Sequence, residues 1–286
     1  MTGSVAEQAE PHSDPAADPI LVVDGLHKRY GDGPVAVDDI TLNVRRGEFV
    51  SLVGPSGCGK TTLMKCISGL LRPTSGRVAL DGAEIDGPPR EMVLVFQDYS
   101  RSLYPWLTVF DNVEMPLKAS KQTRATVDRA ERKARVTEAL EAVGLAAAGP
   151  KYPWQLSGGM QQRVALARAI AFRSEILLLD EPFASVDALV REELEDLVLR
   201  LRQRFGITVI LVTHDIDEAV YLSDRVFVLG PPPSKVVREV AIDLPRPRDQ
   251  LSTRRLPEFG DLRLVIHEDI MRRPAKNSSG AEEERP

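Results

Sequence analysis

A short, mostly apolar run, Phe49-Val50-Ser51-Leu52-Val53, passes directly into Gly54-Pro55-Ser56-Gly57-Cys58-Gly59-Lys60-Thr61-Thr62. The run reads as a buried strand, and residues 60–70 read as a helix. Glycines at 54, 57 and 59 let the backbone between them turn tightly and approach a ligand closely. The N–H groups of such a loop, with a helix N-terminus behind it, converge on an anion. Lys60 is placed to reach the β- and γ-phosphates of a nucleotide, and Thr61 to bind Mg²⁺. Cys58, inside the loop, reads as a small packing residue. Strand, loop, Lys-Thr and helix in register commit this part of the chain to an α/β nucleotide-binding fold.

Further strands and helices alternate along the chain. Strands are expected at residues 20–23, 35–44, 77–80, 92–96, 175–180, 208–213, 225–229 and 235–242. Helices are expected at 160–172, 188–205 and 215–222. The alternation argues for a parallel sheet covered by helices. Residues 98–159 interrupt it with a largely helical stretch, broken at Pro116, and read as a subdomain. Residues 1–19, rich in Ala, Pro and acids, read as a disordered tail. A Pro/Arg-rich linker follows residue 243, then a helix over 257–273 and a second disordered tail. The 286 residues carry a net charge of −5, so there is no overall basic footprint for nucleic acid. Two cysteines, Cys58 and Cys66, make no disulfide framework, and a reduced compartment is expected. No apolar run nears the roughly 18–20 residues that span a bilayer. The start lacks the basic-then-apolar order of a signal peptide. The protein is expected in the cytoplasm, with any membrane role exercised through a partner.

Two more segments carry chemistry. Ile176-Leu177-Leu178-Leu179 ends in Asp180-Glu181-Pro182. An acid closing a strand beside a phosphate loop can hold Mg²⁺ through water. The next acid can orient and deprotonate an attacking water. Leu156-Ser157-Gly158-Gly159-Met160-Gln161-Gln162-Arg163 is a small-residue turn that opens a helix. Free N–H groups and the positive end of the helix dipole make it a second anion site. One ATP needs a single cradle for its β-phosphate, so the second turn requires another role.

The phosphate loop, the Ser157 turn and the Asp180-Glu181 strand end, in this order and spacing, resemble the ATP-binding cassette (ABC) ATPases over roughly residues 20–243. The resemblance implies a P-loop NTPase core with an antiparallel β subdomain and a helical subdomain. It implies that Ser157, Gly158 and Gly159 cover the γ-phosphate of an ATP held by a second copy of the chain. Residues 54–62 would hold the nucleotide in its own cassette, with Tyr30 stacking on adenine. Tyr30 also reads as a half-buried packing residue. Glu181 would be the base and Asp180 a partner of Mg²⁺. Gln97 would sense Mg²⁺ and the γ-phosphate, His214 would contact the γ-phosphate, and Asp187 would lie in the loop bridging the two sites.

Met160 replaces the commoner Gln, a form that resembles importers of nitrate, sulfonates and taurine. Ala184-Ser185-Val186 stands where Gly-Ala-Leu is commoner. Tyr104-Pro105-Trp106-Leu107-Thr108-Val109 resembles the same group, where this segment receives a helix of the membrane subunit; these residues read equally as core of the helical subdomain. Seven basic residues over 118–135 read as a solvated helix face. The resemblance therefore implies an ATP-hydrolysing translocase subunit on the cytoplasmic face of the membrane. Its partners would be permease subunits, a second copy of itself and, indirectly, an extracytoplasmic solute-binding protein. A soluble ABC ATPase of repair or translation is the alternative. It predicts tandem cassettes, a coiled-coil insertion or zinc-type Cys pairs, none of which the sequence contains.

Overall fold

The computed structural model describes residues 18–96 and 102–271. Gln97 lies outside these residues, and so do the expected tails, except that Asp18 and Pro19 are described and Pro19 already begins a strand. Four strands form an antiparallel sheet: β1 (Pro19–Arg29), β2 (Val35–Arg45), β4 (Ser75–Leu80) and β5 (Ala83–Glu84), in the order β2-β1-β4-β5. Six more, β3 (Phe49–Val53), β6 (Met92–Val95), β7 (Ile176–Asp180), β8 (Thr208–Thr213), β9 (Arg225–Leu229) and β10 (Val236–Ala241), are ordered β10-β9-β3-β8-β7-β6. All neighbours in this second sheet are parallel except the β10–β9 pair.

Every residue of β3, β7, β8 and β9 is buried, as a parallel sheet covered on both faces requires. Their side chains alternate between two cores. Val50, Leu52, Ile176, Leu178, Ile210, Val212, Phe227 and Leu229 pack with Leu63, Met64 and Ile67 of α1 (Lys60–Ile67) and with the antiparallel sheet. Phe49, Val53, Leu177, Leu179, Val209, Leu211, Val226 and Val228 join the core built by α5 (Gly158–Phe172), α6 (Ala188–Phe205) and α7 (Ile216–Leu222). The sheet thus separates the helix of the phosphate loop from the helix of the Ser157 turn.

Between β6 and α5 lie α2 (Val109–Ala119), α3 (Lys121–Thr126) and α4 (Arg129–Ala142), with α2 and α4 packed on α5. The break expected at Pro116 does not occur there. The helix runs through it to Ala119, because Pro116 removes one ladder bond while Val109, Val113 and Leu117, four residues apart, stay buried on one face. Asn112 is fully buried beneath the preceding loop, where its amide donates to the carbonyls of Tyr104, Leu107 and Thr108. Trp106 projects from that loop with 70% of its surface exposed, so it is not core. Within the basic stretch Lys118 meets Glu114 and Arg135 meets Glu131.

The segment after residue 243 packs against the cassette rather than trailing from it. Its helix α8 (Pro257–Met271) sends Phe259 and Ile266 into the larger core, together with Leu244. Gln250 Nε2 and Arg254 donate to Glu195 Oε2, at 2.9 and 2.8 Å. Glu195 is fully buried on α6, and burial pushes its carboxyl above the ordinary range. Tyr221 of α7 donates its O–H to Asp196 at 2.7 Å, and Arg248 donates to the Tyr221 carbonyl at 2.7 Å. Removing one partner of a buried ion pair leaves the other charge uncompensated. Arg254→Ala should therefore cost about 2–4 kcal/mol, read as a drop in the free energy of urea unfolding. A loss below about 0.5 kcal/mol would show that the extension does not neutralise Glu195.

Candidate functional site: three strand ends on one edge

The central strands end at the same level. Val53 pairs with Thr213, and Asp180 with Val212, so the chain leaves β3, β7 and β8 along one edge of the sheet. In α/β sheets this carboxyl edge is where ligands bind. Each strand end leads there to a residue of different chemistry.

From β3 the chain enters the loop of residues 54–59. Gly59 caps α1 with φ +103, and a Cβ there would lie 2.7 Å from the Ala36 carbonyl oxygen, so both conformation and space require glycine. Cys58 is buried beneath the loop, while Ser56 and Gly57 are exposed at its crest. Lys60 is almost fully buried, and its ammonium donates to the carbonyls of Gly54 at 2.9 Å and Pro55 at 3.1 Å. Those bonds hold the charge against the loop, where an anion bound by the loop amides would meet it. Thr62 Oγ1 lies 3.2 Å from the Tyr30 hydroxyl. Tyr30 is about half exposed beside the loop, with Lys28 Nζ 5.5 Å from its ring centre. The ring thus offers a face to solvent next to the phosphate cradle.

From β7 comes Asp180, buried, with the Thr61 hydroxyl directed at its Oδ1 from 3.4 Å. Burial raises the Asp180 carboxyl above its ordinary range; the Thr61 hydroxyl and the charges of Lys65 and Lys60 oppose this, and Glu181 adds to it. A cation at Asp180 would offset that burial cost. Mg²⁺ takes one or two protein oxygens and fills its octahedron with phosphate and water. One hydroxyl and one carboxylate facing each other, Thr61 and Asp180, fit that demand. Among the described residues, no cluster of three or more His, Cys, Asp or Glu could cage a metal without the phosphates.

Glu181, next in the chain, has φ +47, an uncommon conformation for a non-glycine residue and one that costs free energy. Its N–H donates to the Val212 carbonyl at 2.9 Å, which holds the backbone in that turn. Its side chain is turned toward β8, where Oε2 lies 3.2 Å from His214 Nδ1. His214 is more than half exposed and Glu181 only partly so. A carboxylate with a histidine against it, at a strand end beside a phosphate loop, has the composition needed to align and deprotonate a water.

Ser157 caps α5, its Oγ accepting the Met160 N–H at 3.3 Å, and Ser157 and Gly158 are exposed. Gly159 lies against α6, where a Cβ would sit 2.5 Å from Val190 Cγ1. Asp187 caps α6 through the Val190 N–H at 3.1 Å. The Ser157 turn and the Asp187 cap are therefore neighbours. Among the described residues, no hydrogen bond or ion pair joins residues 157–159 to residues 54–62. The structure gathers Tyr30, the phosphate loop, Asp180, Glu181 and His214; among the described residues Ser157, Gly158, Gly159 and Asp187 share no hydrogen bond or ion pair with them; Gln97 lies outside the described residues.

Glu218 escaped the sequence reading, because an acid in the first turn of a helix reads as a solvated dipole partner. It is buried one turn after His214 and accepts the Thr213 O–H at 2.6 Å. Burial pushes its carboxyl from an ordinary 4.5 up to about 7, with Asp215 and Glu195 adding to the shift and Thr213 and Arg191 opposing it. The folded state thus binds this proton more tightly than the unfolded chain. The resulting stabilisation is complete below about pH 4.5 and is lost as pH rises through about 7. Relative to Glu218→Gln, the parent should lose up to about 3 kcal/mol between pH 4.5 and pH 8. Urea unfolding of both proteins across that range checks it; parallel pH profiles would contradict the burial of a titrating carboxyl.

Residues 37–184 match the ABC transporter family. The nitrate import ATP-binding protein NrtC of Synechococcus elongatus is 44% identical over 248 residues, which cover 85% of this chain but 37% of NrtC. This chain therefore spans little more than a third of that relative. The bicarbonate transport ATP-binding protein CmpD of the same organism is 41% identical over 255 residues, 88% of this chain and 90% of CmpD. Among solved structures, the dimeric ATP-binding cassette MJ0796, in a post-hydrolysis state bound to ADP and Pi, superposes with a TM-score of 0.67. It is 34% identical, and the match covers 78% of this chain and 98% of that one. Sequence and fold converge on one assignment: the chain belongs to the ABC transporter family and has the fold of its ATP-binding cassettes.

Proposed function

We propose that this chain is the ATP-binding, ATP-hydrolysing subunit that powers an ABC importer of a small oxyanion, and that it works as a pair of cassettes. The pairing rests above all on the sheet, which separates the two anion-binding turns. The phosphate loop leads into α1 on one face, while the Ser157 turn opens α5 on the other. A chain so built cannot readily close its own Ser157 turn over its own phosphate loop; a second copy can. MJ0796, described as dimeric and bound to ADP and Pi, supports that arrangement.

In this reading, Mg-ATP supplies the triphosphate, the leaving group and the cation that spreads its charge. The amides of residues 54–60 and the Lys60 ammonium hold the phosphates, Tyr30 stacks on the base, and Thr61 and Asp180 hold the cation. Glu181 takes a proton from the attacking water, with His214 beside it orienting the γ-phosphate. Ser157 and Gly159 of the second copy complete the site, and Asp187 beside them bridges to the other one. Gln97 links the cation to the membrane partner. The loop of residues 102–108, with Trp106 exposed at its tip, is the surface offered to that partner.

The relatives are named as ATP-binding proteins of nitrate import and of bicarbonate transport, and both anions are small oxyanions. Their names favour such a substrate over an organic sulfonate, and transport over a soluble repair or translation ATPase. Among the described residues, no helix is long and apolar enough to cross a membrane. On this reading the subunit sits at the cytoplasmic face on permease subunits. These subunits and an extracytoplasmic binding protein select the cargo, and no nucleic acid takes part.

Glu181→Gln should retain ATP binding and lose turnover by about 10²-fold or more, measured as phosphate release beside a nucleotide titration. Lys60→Ala should lose the binding itself. Turnover at the parental rate in Glu181→Gln would remove Glu181 from the role of base.

A further inference from the structure

The turn that carries His214 is tied on both sides. Thr213, before it, donates its hydroxyl to Glu218 Oε2 at 2.6 Å and accepts the Asp215 N–H at 3.0 Å. Asp215, after it, caps α7, its Oδ1 accepting the N–H groups of Asp217 at 2.8 Å and Glu218 at 3.2 Å. Its other oxygen receives Arg191 at 3.3 Å. The same guanidinium lies 3.8 Å from Glu218 Oε1. One cation from α6 thus bridges the two carboxylates that anchor the turn.

Arg191 is equally tied to the other loop. It stands in the first turn of α6, and its backbone N–H donates to the Asp187 carbonyl at 2.9 Å. Arg191, Thr213, His214, Glu218 and Glu181 line one small cavity of about 50 Å³. The other charges around this cluster are engaged elsewhere. Glu195, one turn along α6, is held by Arg254 and Gln250 of the C-terminal segment. Asp217 pairs with Arg263 at 2.9 Å. Packing does not need Arg191, because α6 is anchored further along by Leu194, Leu197, Val198 and Leu201. Arg191 is partly exposed and its contacts with Asp215 and Glu218 are long, 3.3 and 3.8 Å, so it adds less to stability than the 2.8 Å Arg254–Glu195 pair. Its planar fork does fix the distance between two elements.

We propose that Arg191 is a positioning residue for ATP hydrolysis. It couples the Asp187 start of α6 to the Thr213-His214-Asp215 turn and so sets His214 against Glu181. A displacement of the α6 start, such as a second cassette would impose at Asp187, is transmitted by this guanidinium to the reacting end of the site. The inference rests on the reading of Glu181 and His214 given above.

A double-variant cycle in the full chain separates the two. Mg-ATP turnover and ATP affinity are measured for Arg191→Ala, Arg191→Lys, His214→Ala and the double variant Arg191→Ala/His214→Ala. Arg191→Ala should lower kcat about 10-fold and leave ATP affinity within about two-fold. Arg191→Lys, which keeps the charge but loses the fork, should recover part of that loss. In the double variant, kcat should be no lower than in His214→Ala alone, because Arg191 acts through the histidine. Losses that multiply in the double variant overturn the inference and leave the reading of His214 intact. So does a parallel loss of ATP affinity in Arg191→Ala, which would mark a general scaffold role. Parental turnover in His214→Ala overturns both the inference and that reading.

Discussion

The parallel ladder through β7, β8 and β3 is the constraint on which the rest depends. Its register sets Val53 opposite Thr213 and Asp180 opposite Val212. Three strands far apart in sequence therefore release their chains at one level. A slip of one residue would turn every side chain to the opposite face and exchange the two cores. That penalty protects the register, and the register brings Gly54, Glu181 and His214 to one edge of the sheet. The site is thus assembled by backbone pairing and hydrophobic burial, with its polar groups contributing little to holding the edge together.

On that edge the polar groups are held in costly states. Asp180 is buried, Glu181 sits at positive φ, and Glu218 is a buried carboxyl close to a second acid. Such features destabilise a fold and persist where the surroundings over-determine them. Here the Val212 carbonyl fixes Glu181, the Thr61 hydroxyl faces Asp180, and Arg191 faces Asp215 and Glu218. The C-terminal segment supports the same region from behind. It neutralises Glu195 and bonds the end of α7, so the helix that follows His214 is tethered at both ends.

How much of this the sequence disclosed follows from the range of each interaction. The buried strands were legible because a parallel strand covered on both faces is apolar along most of its length, as Ile176 to Leu179 and Val209 to Val212 are. The Ser157 cap and the phosphate loop were legible because their geometry is local and restricts residue type. Pro116 misled, since tertiary burial of Val113 and Leu117 outweighed one missing ladder bond. The order β2-β1-β4-β5 could not be read, because pairing partners leave no local mark. Gln250 and Arg254 follow Pro-Arg-Pro-Arg-Asp and read as linker; their partner Glu195 lies more than fifty residues earlier. Arg191 and Glu218 were hidden for the same reason, each looking like an exposed charge in a first helical turn.

The central claim is that two copies close over nucleotide through turns lying on opposite faces of each sheet. The mass in solution of Glu181→Gln, with and without Mg-ATP, tests it most directly. The account predicts a monomer that becomes a dimer on adding Mg-ATP, and a shift that disappears when Ser157 is replaced by a bulky residue. A nucleotide-saturated monomer that stays monomeric at high concentration, in the presence of the permease as well, would contradict it.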